Sequence, residues 1–381
     1  VTGVQTCALP IYAATNPINP RIYQVLVEDL QGLWGNASTM YDIGMESKRI
    51  LEASRAKIAH CLGVDTDEIY FTSGASEGNS WILNQKGKCL CSPYEHDSIL
   101  LNPKSCIIDD NYLDMAILGA LSNDILSNAR ISPFENFLLS WQLVNSETGE
   151  IFNLNKYSHY AHELGMAFHT DITQAVGNVK LNLKGWGVDC ATMSGHKIGA
   201  PKNIGVVYFN KEVFPPDKIK PLIYGHQEKG TRGGTENVPF CHTLALAVDE
   251  AIATQESKMA YCKTLKKAFY DELMKDNFAN EYVYIVSPAN SVNSTINICF
   301  KDIESEVLQM LMNQDGFSVA TGSACSTGTM EPSKTLEYMK VPEEYIRGEI
   351  RLTFDGSNNI GDLILTAQKL KQHYLELISN G

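Results

Sequence analysis

The sequence predicts an α/β protein: a large domain on a mostly parallel sheet covered on both faces, followed by a smaller α+β domain. Three observations lead there. Runs of four to seven apolar or small residues alternate with segments of helical periodicity over most of the length, as expected for strands buried on both faces. Helical or polar connections separate many of these runs. After about Phe240 the style changes to one long amphipathic segment and a few strands.

In chain order, "MESKRILEASRAKIAHCLGV" carries Ile50, Leu51, Ala53, Ile58 and Leu62 at helical spacing and ends at Gly63, a helix with its stop signal. "EIYFTSG" reads as a strand running into a glycine turn, and "SEGNSWILNQ" as the helix after it. Further strands are expected at "CLCS", "SCIID", "FLLSWQLV", "MAFHTD", "DCATMSG" and "IGVVYF". Beyond Phe240 a single helix is expected over 241–276, then strands at "VYIVS", "STINICF" and "IRLTF", and a terminal helix. The expected division is a large domain over 12–240 and a small one over 241–381. Residues 1–11, "VTGVQTCALPI", lack the basic and apolar regions of a signal peptide. They resemble translated sequencing-adapter sequence and are expected to be foreign, with the first native residues packing against the small domain.

Composition narrows the function. With 31 Lys and Arg against 44 Asp and Glu, the net charge is −13, which offers no electrostatic footprint for nucleic acid. No apolar run approaches the ~20 residues that span a bilayer, so no membrane partner is expected. The ten cysteines are dispersed, the usage of a reduced, cytoplasmic protein. Cys89 and Cys91 form the one close pair and, without further ligand-spaced partners, read as core strand rather than metal site. Cys325 differs. In "SVATGSACSTGTMEPS" it lies in a polar, glycine-bearing loop, where a thiolate can act as nucleophile. The other nine read as structural.

In open α/β sheets, ligands gather beyond the carboxyl ends of the strands. There the sequence places Gly74, Ala75 and Ser76 between a strand and a helix start, a seat for phosphate. Asp171 ends one strand, with Gln174 a turn later, and Ser194, His196 and Lys197 end the next. Alone, Lys197 would be read as a lysine snorkelling out of a loop. Together, an amine, a carboxylate and several hydroxyl or imidazole donors meet the needs of pyridoxal phosphate. That cofactor takes a lysine for covalent attachment, a carboxylate at its ring nitrogen and donors for its phosphate.

"FTSGASEGN", "SPYEHDSIL", "VNSETGEI", "HTDITQAVG", "SGHKIGAPKNIGVVYF", "EKGTRGGTENV", "ATGSACSTG" and "IRLTF" follow in this order from Ala13 to about Phe354. Their succession resembles the cysteine desulfurases of the class V aminotransferase group, with the short cysteine loop of the nitrogen-fixation and housekeeping iron–sulfur enzymes. The resemblance implies the fold of type I pyridoxal-phosphate transferases, whose large-domain sheet has seven strands. It implies that Lys197 holds the cofactor, Asp171 pairs with its ring nitrogen, Gln174 meets its phenolic oxygen and His96 lies over the ring. Ala75, Ser76, Ser194 and His196 would hold the phosphate. Thr235 would reach the phosphate of the other protomer of a homodimer. Arg351 would bind the substrate carboxylate, and Cys325 would take sulfur from L-cysteine as a persulfide, leaving L-alanine. An iron–sulfur scaffold or another sulfur acceptor would be the partner.

Taken alone, His96 reads as a loop or cap histidine and Arg351 as the partner of a glutamate. Departures from the family pattern are few. Ser146 stands where an asparagine that touches cofactor and substrate is usual, and Ser76 stands where threonine is usual. The other readings to weigh are a selenocysteine lyase, another class V enzyme such as a transaminase, and a catalytically silent sulfur-transfer binding module.

Overall fold

The structure, a computed structural model, describes residues 15–115, 134–322 and 332–380. They form two compact units. The first unit comprises Pro17–Val144 and Phe152–Ala253; the second is built from Thr15 and Asn16, Asn145–Ile151 and the chain from Thr254 onward.

The first unit carries a seven-stranded mixed sheet. Its strands are β1 (Ile69–Thr72), β2 (Lys88–Cys91), β3 (Ser105–Ile107), β4 (Phe137–Ser140), β5 (Ala167–Asp171), β6 (Cys190–Ser194) and β7 (Gly205–Phe209). Their order across the sheet is β1-β7-β6-β5-β4-β2-β3. Pairs β2/β3, β2/β4, β4/β5 and β5/β6 are parallel, while β7 lies antiparallel to both its neighbours. The carboxyl ends of every strand but β7 therefore meet at one sheet edge. Strands β1, β5, β6 and β7 are buried at every position, which explains why they show no regular apolar–polar alternation. "FLLSWQLV" is shorter as a strand than expected, since β4 stops at Ser140. The amides of Trp141 and Leu143 still bond the carbonyls of His169 and Asp171 at 3.0 and 3.1 Å.

Helix α1 (Pro20–Gly32) begins with proline behind an Asn19 cap, and α2 (Asp42–Leu62) ends at Gly63 in the left-handed region (φ 69°). Helix α3 (Ala75–Gln85) lies on the sheet, and Trp81 meets Tyr70 and Phe209 edge-on at 5.7 and 5.3 Å in the core. A Cβ at Gly78 would fall 2.9 Å from the methyls of Thr192 and Val207, so glycine there sets how closely α3 approaches β6 and β7.

The second unit holds an antiparallel three-stranded sheet in the order β10-β9-β8: Glu349–Thr353, Thr295–Phe300 and Val283–Ile285. The helices Gln255–Leu273 and Ile360–Asn380 belong to it, with Phe269, Phe300, Leu352 and Tyr374 in its core. The helix expected over 241–276 is two helices, Val238–Ala253 and Gln255–Leu273. They are separated at Thr254, where the chain passes from one unit to the other. Asn145–Ile151 is tied into the second unit by Val292 N–H to Gly149 O (2.8 Å) and Ile151 N–H to Asn290 O (3.0 Å). No described helix is long and apolar enough to cross a membrane.

Candidate active site

At the shared strand edge of the first unit, β1 turns through Gly74 into α3. The first N–H groups of a helix have no intrahelical partner, and those of Ala75 and Ser76 open this one. A Cβ at Gly205 would lie 2.6 Å from the Gly74 Cα, so only glycine at the start of β7 lets the turn sit there. Ser76 is exposed and Ala75 half-buried. Ser73 N–H donates to Glu77 at 2.7 Å, bracing the turn.

Asp171 ends β5 and is buried. One of its oxygens accepts from Thr173 N–H at 2.9 Å, the other from Asn79 Nδ2 at 3.0 Å. Ser194 ends the adjacent β6, and the 3-10 turn Gly195–Lys197 follows it. Lys197 is half-buried there. Burial, with the charges of Lys197 and Lys202, pulls His196 down to about 4, so its imidazole is neutral at physiological pH. Gln174, half-buried, lies in the turn after Asp171, and its carbonyl accepts from Asn178 at 2.8 Å.

His96 follows β2 and caps the short helix Asp97–Leu100, its Nδ1 lying 3.1 Å from Ser98 N and 2.9 Å from Ser98 Oγ. The capping role weighed from sequence is thus real, and its ring remains exposed. Five buried polar residues that the sequence reading did not single out lie behind these groups. Glu95, Ser140, His169, Thr192 and Asn79 form an unbroken hydrogen-bonded chain ending at Asp171. The signal available for them was polarity inside apolar runs, as at Ser140 in "FLLSWQLV".

Thr235 is exposed in a loop held by two ion pairs: Arg55 with Glu228, and Arg232 with Glu77 at 2.8 Å. Of the cysteines expected to be structural, Cys190 and Cys299 are buried in β6 and β9, but Cys106 is exposed and Cys61 half-buried. Cys7 lies outside the described residues.

In the second unit Arg351, buried on β10, donates from Nη1 to the Ser146 carbonyl at 3.1 Å. Its Nε has no hydrogen-bond partner among the described residues. Glu349, two residues earlier on the same strand, accepts from Asn297 Nδ2 at 2.6 Å. Burial, and then the nearby charge of Glu147, push its carboxyl up to about 8. Ser333 Oγ donates to the carboxylate of Glu147. Reciprocal amide–carbonyl bonds of 3.1 and 2.8 Å hold Ala320 against Arg351, a few residues before Cys325 in the chain. Cys325 itself lies outside the described residues.

The donor set of the first unit fits pyridoxal phosphate. It offers an amine at one strand end, a carboxylate braced on both oxygens at the next, and helix N–H groups with hydroxyls beside a neutral imidazole.

Comparison with known proteins agrees. Residues 11–359 match the family described as aminotransferase class-V. The chain is 32% identical over 368 residues to cysteine desulfurase IscS from Methanosarcina thermophila, covering 92% of this chain and 88% of the relative. It is 33% identical over 375 residues to cysteine desulfurase IscS from Dictyoglomus turgidum, covering 95% and 93%. The crystal structure of a NifS-like protein from Rickettsia africae superposes with a TM-score of 0.83 at 25% identity, over 97% of this chain and 99% of that one. The chain belongs to the class-V aminotransferase family of pyridoxal-phosphate enzymes.

Proposed function

We propose that this protein is a cysteine desulfurase. It takes sulfur from L-cysteine onto Cys325 and releases L-alanine. The observation that carries the reading is the pair of adjacent strand ends bearing Asp171 and Lys197, in a chain whose curated relatives bear that name.

Pyridoxal phosphate, when bound, draws electrons from the substrate Cα, which makes its proton acidic and then loosens the bond from Cβ to sulfur. The chain's residues supply the rest. Lys197 would anchor the cofactor, and its free amine would hold the proton taken from the substrate Cα. Asp171 would face the ring nitrogen, Gln174 the phenolic oxygen and His96 the ring. Ala75, Ser76, Ser194 and His196 would hold the phosphate, with Thr235 contributed to the partner protomer's site. Arg351 binds the substrate carboxylate beside Ser146. The sulfur–carbon bond of cysteine breaks as a sulfur–sulfur bond to the Cys325 thiolate forms, and Cβ gains a proton. No external oxidant or reductant is needed to reach the persulfide, and an acceptor such as an iron–sulfur scaffold then receives the sulfur. In this reading the large domain bears the cofactor and the small one bears Cys325.

A homodimer is supported by the surface of α1. Ile22 and Leu26 are buried, whereas Tyr23, Val27 and Leu30, on another face at helical spacing, are exposed. Trp34, Met40, Tyr41 and Met45, in the chain that follows α1, are exposed as well, and exposed apolar surface is what a second copy covers.

The test is turnover of L-cysteine by the purified, cofactor-loaded protein with a thiol reductant. Alanine and sulfide are expected in equal amounts. Cys325→Ala is expected to keep the cofactor's visible absorbance and lose sulfide release, and Lys197→Ala to lose that absorbance. Full sulfide release by Cys325→Ala would remove Cys325 from the mechanism, and absence of alanine from the unmodified protein would remove the function.

A further inference from the structure

The polar chain behind Asp171 carries information in its hydrogen counts. Glu95 Oε1 lies 3.1 Å from Ser140 Oγ, which lies 2.8 Å from His169 Nδ1. His169 Nε2 lies 3.4 Å from Thr192 Oγ1, Thr192 Oγ1 lies 2.5 Å from Asn79 Oδ1, and Asn79 Nδ2 lies 3.0 Å from Asp171 Oδ2. Glu95, Ser140, His169, Thr192 and Asn79 are all buried, so water does not relax the matching of donors to acceptors.

Start from an ionised Asp171, which can only accept. The amide of Asn79 must then turn Nδ2 toward it, leaving Oδ1 to face Thr192. An amide oxygen only accepts, so the Thr192 hydroxyl gives its one hydrogen to Asn79. Thr192 Oγ1 is left to accept from His169, which places the imidazole hydrogen on Nε2. In a neutral ring, Nδ1 is then bare and accepts from the Ser140 hydroxyl. Ser140 has no hydrogen left for Glu95, and Glu95 must donate. Running every bond the other way requires Asp171 to be neutral and Glu95 ionised. Ionising both carboxyls sets two acceptors face to face between His169 and Thr192, unless His169 takes a second proton.

The surroundings choose among these states. Asp171 has the Thr173 N–H on its second oxygen, whereas Oε2 of Glu95 is buried with no hydrogen-bond partner among the described residues. We propose that the network is wired in one direction, from Glu95 as a neutral carboxylic acid to Asp171 as an ionised carboxylate, with Asn79 as its branch point.

Two further facts agree. Burial, then the charges of Asp171 and Cys91, push the Glu95 carboxyl well up, against weaker opposite pulls from Ser140 and the Gln142 amide. Burial also pulls His169 down to about 4, which disfavours a second proton on its ring. The branch completes the pattern. The other hydrogen of Asn79 Nδ2 goes to Ser98 Oγ at 2.9 Å, and Ser98 offers both its O–H and its N–H to His96 Nδ1. Nδ1 of His96 is therefore the accepting nitrogen, which leaves Nε2 as the one that carries hydrogen. Glu95, Ser140, His169, Thr192 and Asn79 are positioning residues that hold Asp171 charged and set the tautomer of His96.

The consequence for the cofactor rests on the function proposed above, but the protonation pattern does not. Two measurements on the loaded protein at neutral pH read it directly. The infrared difference between wild type and Glu95→Gln is expected to show loss of one carbonyl band of a neutral carboxylic acid, sensitive to deuterium exchange. Nitrogen NMR of labelled histidine, with the signal assigned by its absence in His169→Gln, is expected to show His169 protonated on Nε2 alone. Thr192→Val is expected to abolish that single-tautomer signature and Thr192→Ser to restore it. Loss of a carboxylate band in place of the acid band overturns the proposal, as does a hydrogen on Nδ1 of His169. Should Glu95→Gln not fold, the wild-type histidine spectrum decides alone. Failure of cysteine turnover with the neutral-acid band intact counts against the function and leaves the wiring standing.

Discussion

Arg55 and Glu228 meet through two hydrogen bonds of 2.7 and 2.8 Å, with their side chains 4% and 2% exposed. The second carboxylate oxygen does double duty, accepting also from Phe71 N–H of β1 at 2.9 Å. Glu228 occupies the left-handed backbone region (φ 47°), so the pair fixes a bend that would otherwise be strained. Removing one partner strands a buried charge, which costs about 3–5 kcal/mol. Arg55→Ala is expected to lower stability by that order in denaturant melts. The double change Arg55→Met with Glu228→Leu is expected to recover much of it. A single variant within 1 kcal/mol (about the worth of a surface pair) would show that the bend does not depend on the ion pair.

Glu349 gives the second unit a pH dependence with a definite sign. Its folded carboxyl is raised from 4.5 to about 8, by burial first and by Glu147 next, while Asn297, Arg351 and the Gly322 amide pull the other way. The stability from the neutral form is complete below pH 4.5. It declines as the unfolded chain ionises first, and is gone once pH passes the folded value near 8. The slope contributed inside that window is at most about 1.4 kcal/mol per pH unit. Glu349→Gln is expected to flatten the decline in melting temperature between those limits. An unchanged profile would mean that Glu349 is ionised in the folded protein.

Arg351 and Ser146 make a separable prediction. The guanidinium is held by the carbonyl of Ser146, not by its side chain, so Ser146→Asn keeps the anchor. It is expected to alter KM for cysteine by a few-fold at most. Arg351→Lys replaces a planar fork with a point charge. Losing a charge-assisted bond worth about 1.5–3 kcal/mol corresponds to roughly a 10- to 150-fold rise in KM. Steady-state kinetics with cysteine separate the two. A larger effect from Ser146→Asn than from Arg351→Lys would place the carboxylate site elsewhere.

The legible part of the site was the part in which residue type and chain position speak together. Asp171 closes a run of buried residues, Lys197 follows another, and Ser76 begins a helix after a glycine turn; each could be placed on the sheet edge from local pattern alone. The wiring behind them was not legible. Ser140, His169 and Thr192 lie on different strands and Asn79 on α3, and only the sheet order brings them together. Their polar groups look like fillers in largely buried elements, because periodicity carries no sign of which face meets a carboxylate. The break at Thr254 was hidden for a similar reason. Both flanking segments are helical, and nothing in the composition marks where one core ends and another begins.

The last prediction concerns α1. A helix with one buried face needs only polar residues elsewhere, yet Tyr23 is 57% and Leu30 56% exposed, and farther along the chain Trp34 is 73% and Met40 93% exposed. Apolar area in that quantity is seldom left in water on a monomer, and a self-complementary patch on two copies of one chain covers it with twofold symmetry. Aromatic residues near the centre of such a contact each contribute about 2 kcal/mol or more. Trp34→Asp is expected to weaken the proposed dimer at least thirtyfold by that scale, read as a concentration-dependent shift to monomer mass in light scattering. Because Trp34 is exposed within its own chain, the melting temperature of the monomer is expected to stay close to that of a Trp34→Ala control. A dimer of undiminished affinity in Trp34→Asp would move the interface off this face.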